Sequence, residues 1–304
     1  MTPETATPAR PGPGPMPKAL LDTLDVALRH RVRGLLPGEA RSSALGPGSE
    51  LAQLRQYEPG DDVRLIDWNA TARTGEPHVR VEVAERALTT WLLLDTSLSM
   101  TFGTADRRKA DVAEGVARAF GHVATRRGNR LAVLRFGGAE PRTLPPRQGR
   151  AGQLGLALAL RGEDECPVGA TSLGDALGRA GRLARRGALV VLVSDFRGPP
   201  GWRPELVRLA ARNHVVAVEV RDPREEELAD VGDLWLVDAE TSQLVRVDTS
   251  SRTLRSRYVE RAAAERREVA DLLRKAGADH VVLSTAGEWL RELARFLRRL
   301  EVRR

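Results

Sequence analysis

The spacing of apolar and polar positions changes character near residue 87. From Thr89 onward, short apolar runs of strand length alternate with longer amphipathic stretches. That pattern predicts an α/β fold with a mainly parallel sheet flanked by helices. The runs Thr89 to Leu94, Arg130 to Phe136, Ala188 to Ser194, Val215 to Val220 and His280 to Ser284 read as strands. Helices are expected over Asp106 to Arg127, Gln153 to Leu160, Ser172 to Arg186 and Arg203 to Ala211, each carrying the chain across by a right-handed crossover. Two apolar runs between Asp233 and Val247 flank Asp238 to Ser242, which predicts an inserted hairpin. A long helix, Thr253 to Ala276, closed by Gly277, and a last helix, Glu288 to Leu300, complete the α/β domain, residues 87–304.

The first 86 residues follow other rules. Residues 1–17 are Pro-rich with almost nothing apolar to bury, so a disordered tail is expected there. A small helix/β extension, residues 18–86, comes next. Leu20, Leu21, Leu24, Ala27 and Leu28 recur at helical spacing within Ala19 to Val32, and the Gly/Ser/Pro-rich stretch Gly34 to Ser49 reads as a loop. Glu58-Pro59-Gly60-Asp61 spells a tight turn, with Pro at the first central position and Gly supplying positive φ at the second. Val79, Val81 and Val83 alternate with Arg80, Glu82 and Ala84, as in a half-buried strand.

Composition narrows the function classes. With 304 residues, 41% of them hydrophobic, the chain can bury one large core, or one core and a small satellite. Its longest apolar runs fall far short of the roughly 20 residues of a membrane span, and its start is polar, so a cytoplasmic protein is expected. Cys166 is the single cysteine, which excludes an internal disulfide, and the five histidines show no zinc-site spacing. The net charge of +7 comes from arginines interleaved with Leu and Ala on amphipathic stretches such as Arg179 to Arg186 and Arg291 to Arg304. These read as solvated helix faces, and no aromatic stacking platform accompanies them, so nucleic acid is not the expected partner.

The chemistry concentrates in Asp95-Thr96-Ser97-Leu98-Ser99, where the first buried strand ends. Ligands of open α/β sheets bind beyond the carboxyl ends of the strands. Thr171 stands just before a predicted helix, and Asp195 ends the strand Ala188 to Ser194. Asp95, Ser97, Ser99, Thr171 and Asp195 all present hard oxygen, the ligand type that Mg2+ or Mn2+ prefers. This set resembles the metal-ion-dependent adhesion site of the von Willebrand factor A (vWA) family, which combines Asp-x-Ser-x-Ser with a distant Thr and a distant Asp. The resemblance implies a Rossmann-like vWA fold. It also implies Ser97 and Ser99 as direct ligands, Thr171 as a direct or water-mediated one, and Asp95 and Asp195 acting through waters. One coordination position is then left for an Asp or Glu of a partner protein. The same residues also have a plainer reading, with the hydroxyls as helix caps or turn residues and the acids satisfying loop N–H groups.

An enzymatic alternative is a metal-dependent phosphatase or hydrolase using Asp95. Such enzymes place a second acid two residues on, where Ser97 stands, and need a lysine that none of Lys18, Lys109 and Lys275 obviously supplies. No nucleophile elbow or phosphate loop is present. A second resemblance lies upstream. Tyr57-Glu58-Pro59-Gly60-Asp61-Asp62-Val63-Arg64, Ile66-Asp67-Trp68, Ala72-Arg73-Thr74-Gly75, Val79-Arg80 and Glu85-Arg86 are similar to the bacterial family called domain of unknown function fifty-eight. That resemblance implies a non-catalytic adaptor or chaperone-like partner of a MoxR-type AAA+ ATPase. Many relatives carry transmembrane helices ahead of this segment, and none is legible here. Within the segment, Asp61, Asp62, Arg64, Asp67, Arg73 and Arg80 are expected to hold the loop to the α/β domain by charge-assisted hydrogen bonds, with Trp68 as the apolar anchor.

Overall fold

A computed structural model of the chain describes residues 9–24, 51–82, 88–126, 128–138, 141–161, 172–198, 200–237 and 244–302. The chain forms two compact units, Gly34–Ala87 and the combination of Met1–Arg33 with Leu88–Arg304. Helical residues 18–24 (α1) belong with the larger unit, where Leu24 is fully buried, although the sequence groups them with the extension that follows.

In the smaller unit, β1 (Leu51–Gln56) pairs antiparallel with β2 (His78–Glu82), with Gln56 opposite His78. The chain between them is built from local capping. The Asp61 amide donates to Glu58 O at 3.0 Å and Gly60 has φ +112°, so the tight turn forms where the sequence spells it. Asp62 accepts from the Arg64 amide and caps the short 3-10 turn Val63–Leu65. Asp67 accepts from the Asn69 and Ala70 amides, both at 3.0 Å, and so starts α2 (Trp68–Thr74), which Gly75 ends in the left-handed conformation. Arg73 donates to the Asn69 carbonyl within its own helix, and Asp61 pairs with Arg55. The acids therefore lock turns and caps. Trp68 does not pack into its own unit: it is 71% exposed. The cap on Asp67 fixes the helical register so that Ala70 faces inward, and Trp68, two residues earlier, lies about 200° away around the helix.

The larger unit contains β3 (Thr89–Asp95), α3 (Lys109–Ala124), β4 (Arg130–Phe136), β5 (Arg142–Gln148), α4 (Gly149–Leu160), α5 (Leu173–Leu183), β6 (Leu189–Ser194), α6 (Arg203–Ala210) and β7 (His214–Arg221). It continues through a separate antiparallel ribbon, β8 (Asp233–Val237) with β9 (Leu244–Asp248), then α7 (Arg252–Lys275), β10 (Asp279–Ser284) and α8 (Trp289–Val302). The main sheet has the order β10-β7-β6-β3-β4-β5 and is parallel except for β5. This is the doubly wound order, with β3 central and the order of strand addition reversing between β3 and β6 while the two strands stay parallel. The expected fold class, an α/β fold with a mainly parallel sheet flanked by helices, is the one observed. Strand β5 went unread because Pro145 and Pro146 interrupt any strand pattern, and prolines are tolerated at an edge.

Strand side chains alternate between faces, and so do the two cores. Leu92 and Leu94 pack with α3, α4 and α8, whereas Trp91 and Leu93 pack with α5, α6 and α7. Residues 9–17 depart from the expected disordered tail. Arg10 and Gly12 carbonyls accept from the buried Arg107 guanidinium, the Pro13 carbonyl accepts from Trp289 Nε1, and Met16 packs on the core. The segment has little apolar surface of its own, but its carbonyls satisfy donors that the domain would otherwise bury. No helix among the described residues is long and apolar enough to cross a membrane.

Candidate metal centre

Leu94 stands opposite Val193 in the β3–β6 pairing, so the next residue of each strand, Asp95 and Ser194, meet at the sheet's carboxyl end. Ser194 Oγ donates to Asp95 Oδ2 at 2.6 Å. The chain then turns sharply. Thr96 donates through both its amide and its hydroxyl to the Phe136 carbonyl at 2.8 Å, which ties this loop to the end of β4. The Ser97 amide donates to Asp95 Oδ1 at 2.9 Å, and a 3-10 turn, Leu98–Thr101, follows. Ser97 sits at the cap position of that turn, yet its hydroxyl makes no capping bond; it lies 3.1 Å from Ser99 Oγ. The cap reading therefore fails for Ser97, while Asp95 does satisfy a loop amide.

Asp195 arrives from β6 on the other side of the reversal. The Arg197 amide and the Ser99 side chain donate to it. The intervening Phe196 has φ +55°, the single non-glycine residue with positive φ among those described. That conformation is strained for a bulky side chain, and packing of its buried ring against Trp202, 5.7 Å between centroids, holds it. Four of the five expected donors, Asp95, Ser97, Ser99 and Asp195, thus converge. Thr171 lies outside the described residues, as does Cys166. Ser172 caps α5, accepting from the Asp175 amide.

Three residues of this site were not legible in the sequence. Lys109, at the start of α3, is fully buried and donates from Nζ to Asp195 Oδ2 and Glu225 Oε1, both at 2.6 Å. Glu225, beyond β7, is also 3.3 Å from Arg197 Nη2. The judgement that no lysine reaches the site is thereby corrected: 86 residues separate Lys109 from Asp195, and only the sheet order brings them together. Gly137, the third, has φ +91°, and a Cβ there would fall 2.5 Å from the Ser97 amide nitrogen and 2.9 Å from Asp95 Oδ1. A signal for Lys109 existed, since a chain that otherwise uses arginine keeps lysine here. A slender, point-charged head suits a closed pocket better than a planar guanidinium.

The electrostatics separate the two acids. Burial, with the Asp195 charge as a second cause, pushes the Asp95 carboxyl up to about 6 against the hydrogen bonds from Ser194 and Ser97. Burial alone would raise Asp195 too. The Lys109 ammonium, with hydrogen bonds from Ser99 and the Arg197 amide, outweighs it and holds Asp195 below the usual carboxylate range. Among the described residues no cation pairs with the buried Asp95 carboxylate, which lies beside the Ser97 and Ser99 hydroxyls, 3.1 Å apart. That donor set fits a hard divalent ion. The two carboxylates are too few for an all-acid cage, and among the described residues no cluster of three or more His, Cys, Asp or Glu suits a metal.

Uncharacterized protein Rv1480 of Mycobacterium tuberculosis is 41% identical over 280 residues, covering 92% of this chain and 88% of its own length. The BatB protein from Bacteroides thetaiotaomicron is 12% identical with a TM-score of 0.45, over 72% of this chain and all of that one. A von Willebrand factor type A structure from Catenulispora acidiphila is 14% identical with a TM-score of 0.39, over 71% of this chain and 42% of that one. These structural likenesses are loose, and the fold assignment rests on the strand order instead. Residues 53–268 match the family described as protein of unknown function DUF58, a span that takes in both the capped segment and the candidate centre, and the chain belongs to that family.

Proposed function

We propose that this protein is a non-catalytic, Mg2+-dependent (or Mn2+-dependent) interaction module, an adaptor or chaperone-like partner of a MoxR-type AAA+ ATPase or of that ATPase's client. The observation that carries the reading is Asp95, a buried acid without a compensating cation, grouped with Ser97, Ser99 and Asp195 at the switch point of the sheet. Ser97 and Ser99 would hold the ion through their hydroxyls, with Thr171, and Asp95 and Asp195 would act through waters. When bound, the ion supplies an electrophilic centre that accepts an Asp or Glu from the partner. The ATPase partner comes from the resemblance of the Tyr57 to Arg86 segment, and nothing in the geometry bears on it. Calorimetric titration tests the ion: one saturable site in the millimolar range is expected, lost in the Asp95→Ala/Ser97→Ala double variant with the fold intact. No saturation at millimolar ion in the wild type removes the reading. The scale follows from the scarcity of direct carboxylate ligands.

One observation favours the alternative of a metal-dependent phosphatase or hydrolase, namely Lys109 within the site. Its bonds run to Asp195 and Glu225, however, and Ser97 occupies the place of the second acid that such enzymes need. Turnover of p-nitrophenyl phosphate that vanishes in Asp95→Asn would establish the enzyme. Absence of turnover in ion-loaded protein leaves the interaction reading.

A further inference from the structure

The charges behind the candidate centre are more elaborate than an ion site needs. Lys109 begins α3, where its amide donates to the Phe102 carbonyl at 2.9 Å, and its side chain is wholly enclosed. The Phe102 ring centroid lies 6.0 Å from Nζ. Two carboxylates from distant parts of the chain, Asp195 and Glu225, accept from this one ammonium. Arg197 Nη2 lies 3.3 Å from the same Glu225 oxygen, Oε1, and Tyr258 Oη of α7 donates to the Glu225 carbonyl at 3.3 Å, which fixes that loop. Ser99 bridges this network to the ion donors, since it contacts both Ser97 and Asp195.

We propose that Lys109 is a built-in counter-charge that restrains Asp195, so that the centre gives up ion affinity and gains affinity for a partner's carboxylate. The inference rests on the ion-dependent reading above. Asp95, Asp195 and Glu225 contribute three negative charges, and Lys109 and Arg197 two positive ones, so the protein side of the site carries a net charge of minus one. A divalent ion brings the assembly to plus one, which attracts an anion. Without Lys109 the same assembly would be neutral. In a buried site, where charges are weakly screened, that single charge acts strongly on both steps. Lys109 bonds to Asp195 and acts through it, so it is a positioning residue. A lysine that merely supported the fold would behave differently: its loss would weaken ion and carboxylate binding together.

The opposite signs make the test. Mn2+ is titrated into the full chain by calorimetry, and the Mn2+-loaded protein is then titrated with acetate, reading displacement of bound water by proton relaxation. Lys109→Met, which keeps the length of the stem and removes the charge, is expected to bind Mn2+ about tenfold or more tightly and acetate about tenfold more weakly. Folded Lys109→Met that binds Mn2+ no more tightly overturns the proposal. If that variant does not fold, Glu225→Gln decides the matter, because it makes the surroundings more positive and should weaken Mn2+ binding several-fold; unchanged or tighter binding overturns the proposal. A wild type that binds no Mn2+ at all removes the functional reading itself, whereas normal wild-type binding with the wrong sign in the variants removes only the role of Lys109.

Discussion

Asp95 shows what the site asks of a single residue. Its carboxyl, raised to about 6 by burial and by the Asp195 charge, holds a proton in the folded chain at pH values where the unfolded chain has lost it. Between about pH 4 and 6 the fold therefore binds more protons than the unfolded state, and stability falls as pH rises through that window. Burial of the ionised Asp95 beside Asp195 therefore costs the ion-free fold on the order of 3 kcal/mol at neutral pH. Asp95→Asn should remove this cost. In EDTA, its melting temperature is expected to exceed that of the wild type at pH 7.5, by less at pH 5, and to match it only below about pH 4, while Mg2+ stabilises the wild type alone. Equal melting temperatures at pH 7.5 would mean that Asp95 already has a compensating charge. Gly137 makes the complementary demand on space, because at φ +91° it already disfavours a side chain, and a Cβ would press on the Ser97 amide. Gly137→Ala should displace Ser97 and lower Mn2+ affinity at least about tenfold, while far-ultraviolet circular dichroism stays unchanged; unaltered affinity would show that the loop can shift freely.

At the level of elements, the residue periodicities were a good guide wherever packing is local in sequence. All five strands expected from Thr89 onward, and the hairpin of β8 and β9, lie where their apolar runs put them. Elements whose reason for existing lies elsewhere in the chain were harder to see. Strand β5 is held by β4 despite its prolines, β1 is held by β2, and residues 9–17 are held by Arg107 and Trp289. The site divides in the same way. Asp95, Ser97 and Ser99 are neighbours in sequence and could be read as a motif, whereas Lys109 and Glu225 become neighbours of Asp195 only when β6 and β7 are ordered in the sheet. Deleting residues 1–17 should consequently lower the melting temperature by several degrees, since it removes acceptors from the buried Arg107 guanidinium and the Trp289 indole, a loss of about 2 kcal/mol. An unchanged melting curve would show that water replaces those carbonyls at no cost. Trp68→Ala should do the reverse of what a core tryptophan does and change stability by less than about 1 kcal/mol, because its ring is exposed. A loss of several kcal/mol in denaturant unfolding would mean that the ring is covered in solution.

For the whole molecule, the proposed function leaves two features that would compete to recruit an acidic partner. One is the candidate centre. The other is the basic surface of a chain with net charge +7, part of it Arg295, Arg298 and Arg299 of α8, which with Glu292 border a groove beside β10. Distance and salt separate them. An ion-mediated contact is short and partly desolvated, so added salt screens it little, whereas exposed arginines act across a Debye length of about 10 Å at 0.1 M salt, shrinking to about 3 Å at 1 M. Arginines on a rim mainly accelerate encounter, and a buried charged contact mainly slows dissociation. The complex with a cognate MoxR-type ATPase is therefore expected to disappear in EDTA, to return with Mg2+, to weaken in Thr171→Ala, and to persist in moderate salt. Reversing the charge of Arg295, Arg298 and Arg299 together should slow association in a surface-binding measurement and leave the dissociation rate nearly unchanged. A complex that survives EDTA but dissolves in moderate salt would make the arginine groove of α8 the interface. The acids and serines at the end of β3 would then need another explanation for holding an uncompensated carboxylate, at a cost of about 3 kcal/mol, in the middle of an otherwise well-paired sheet.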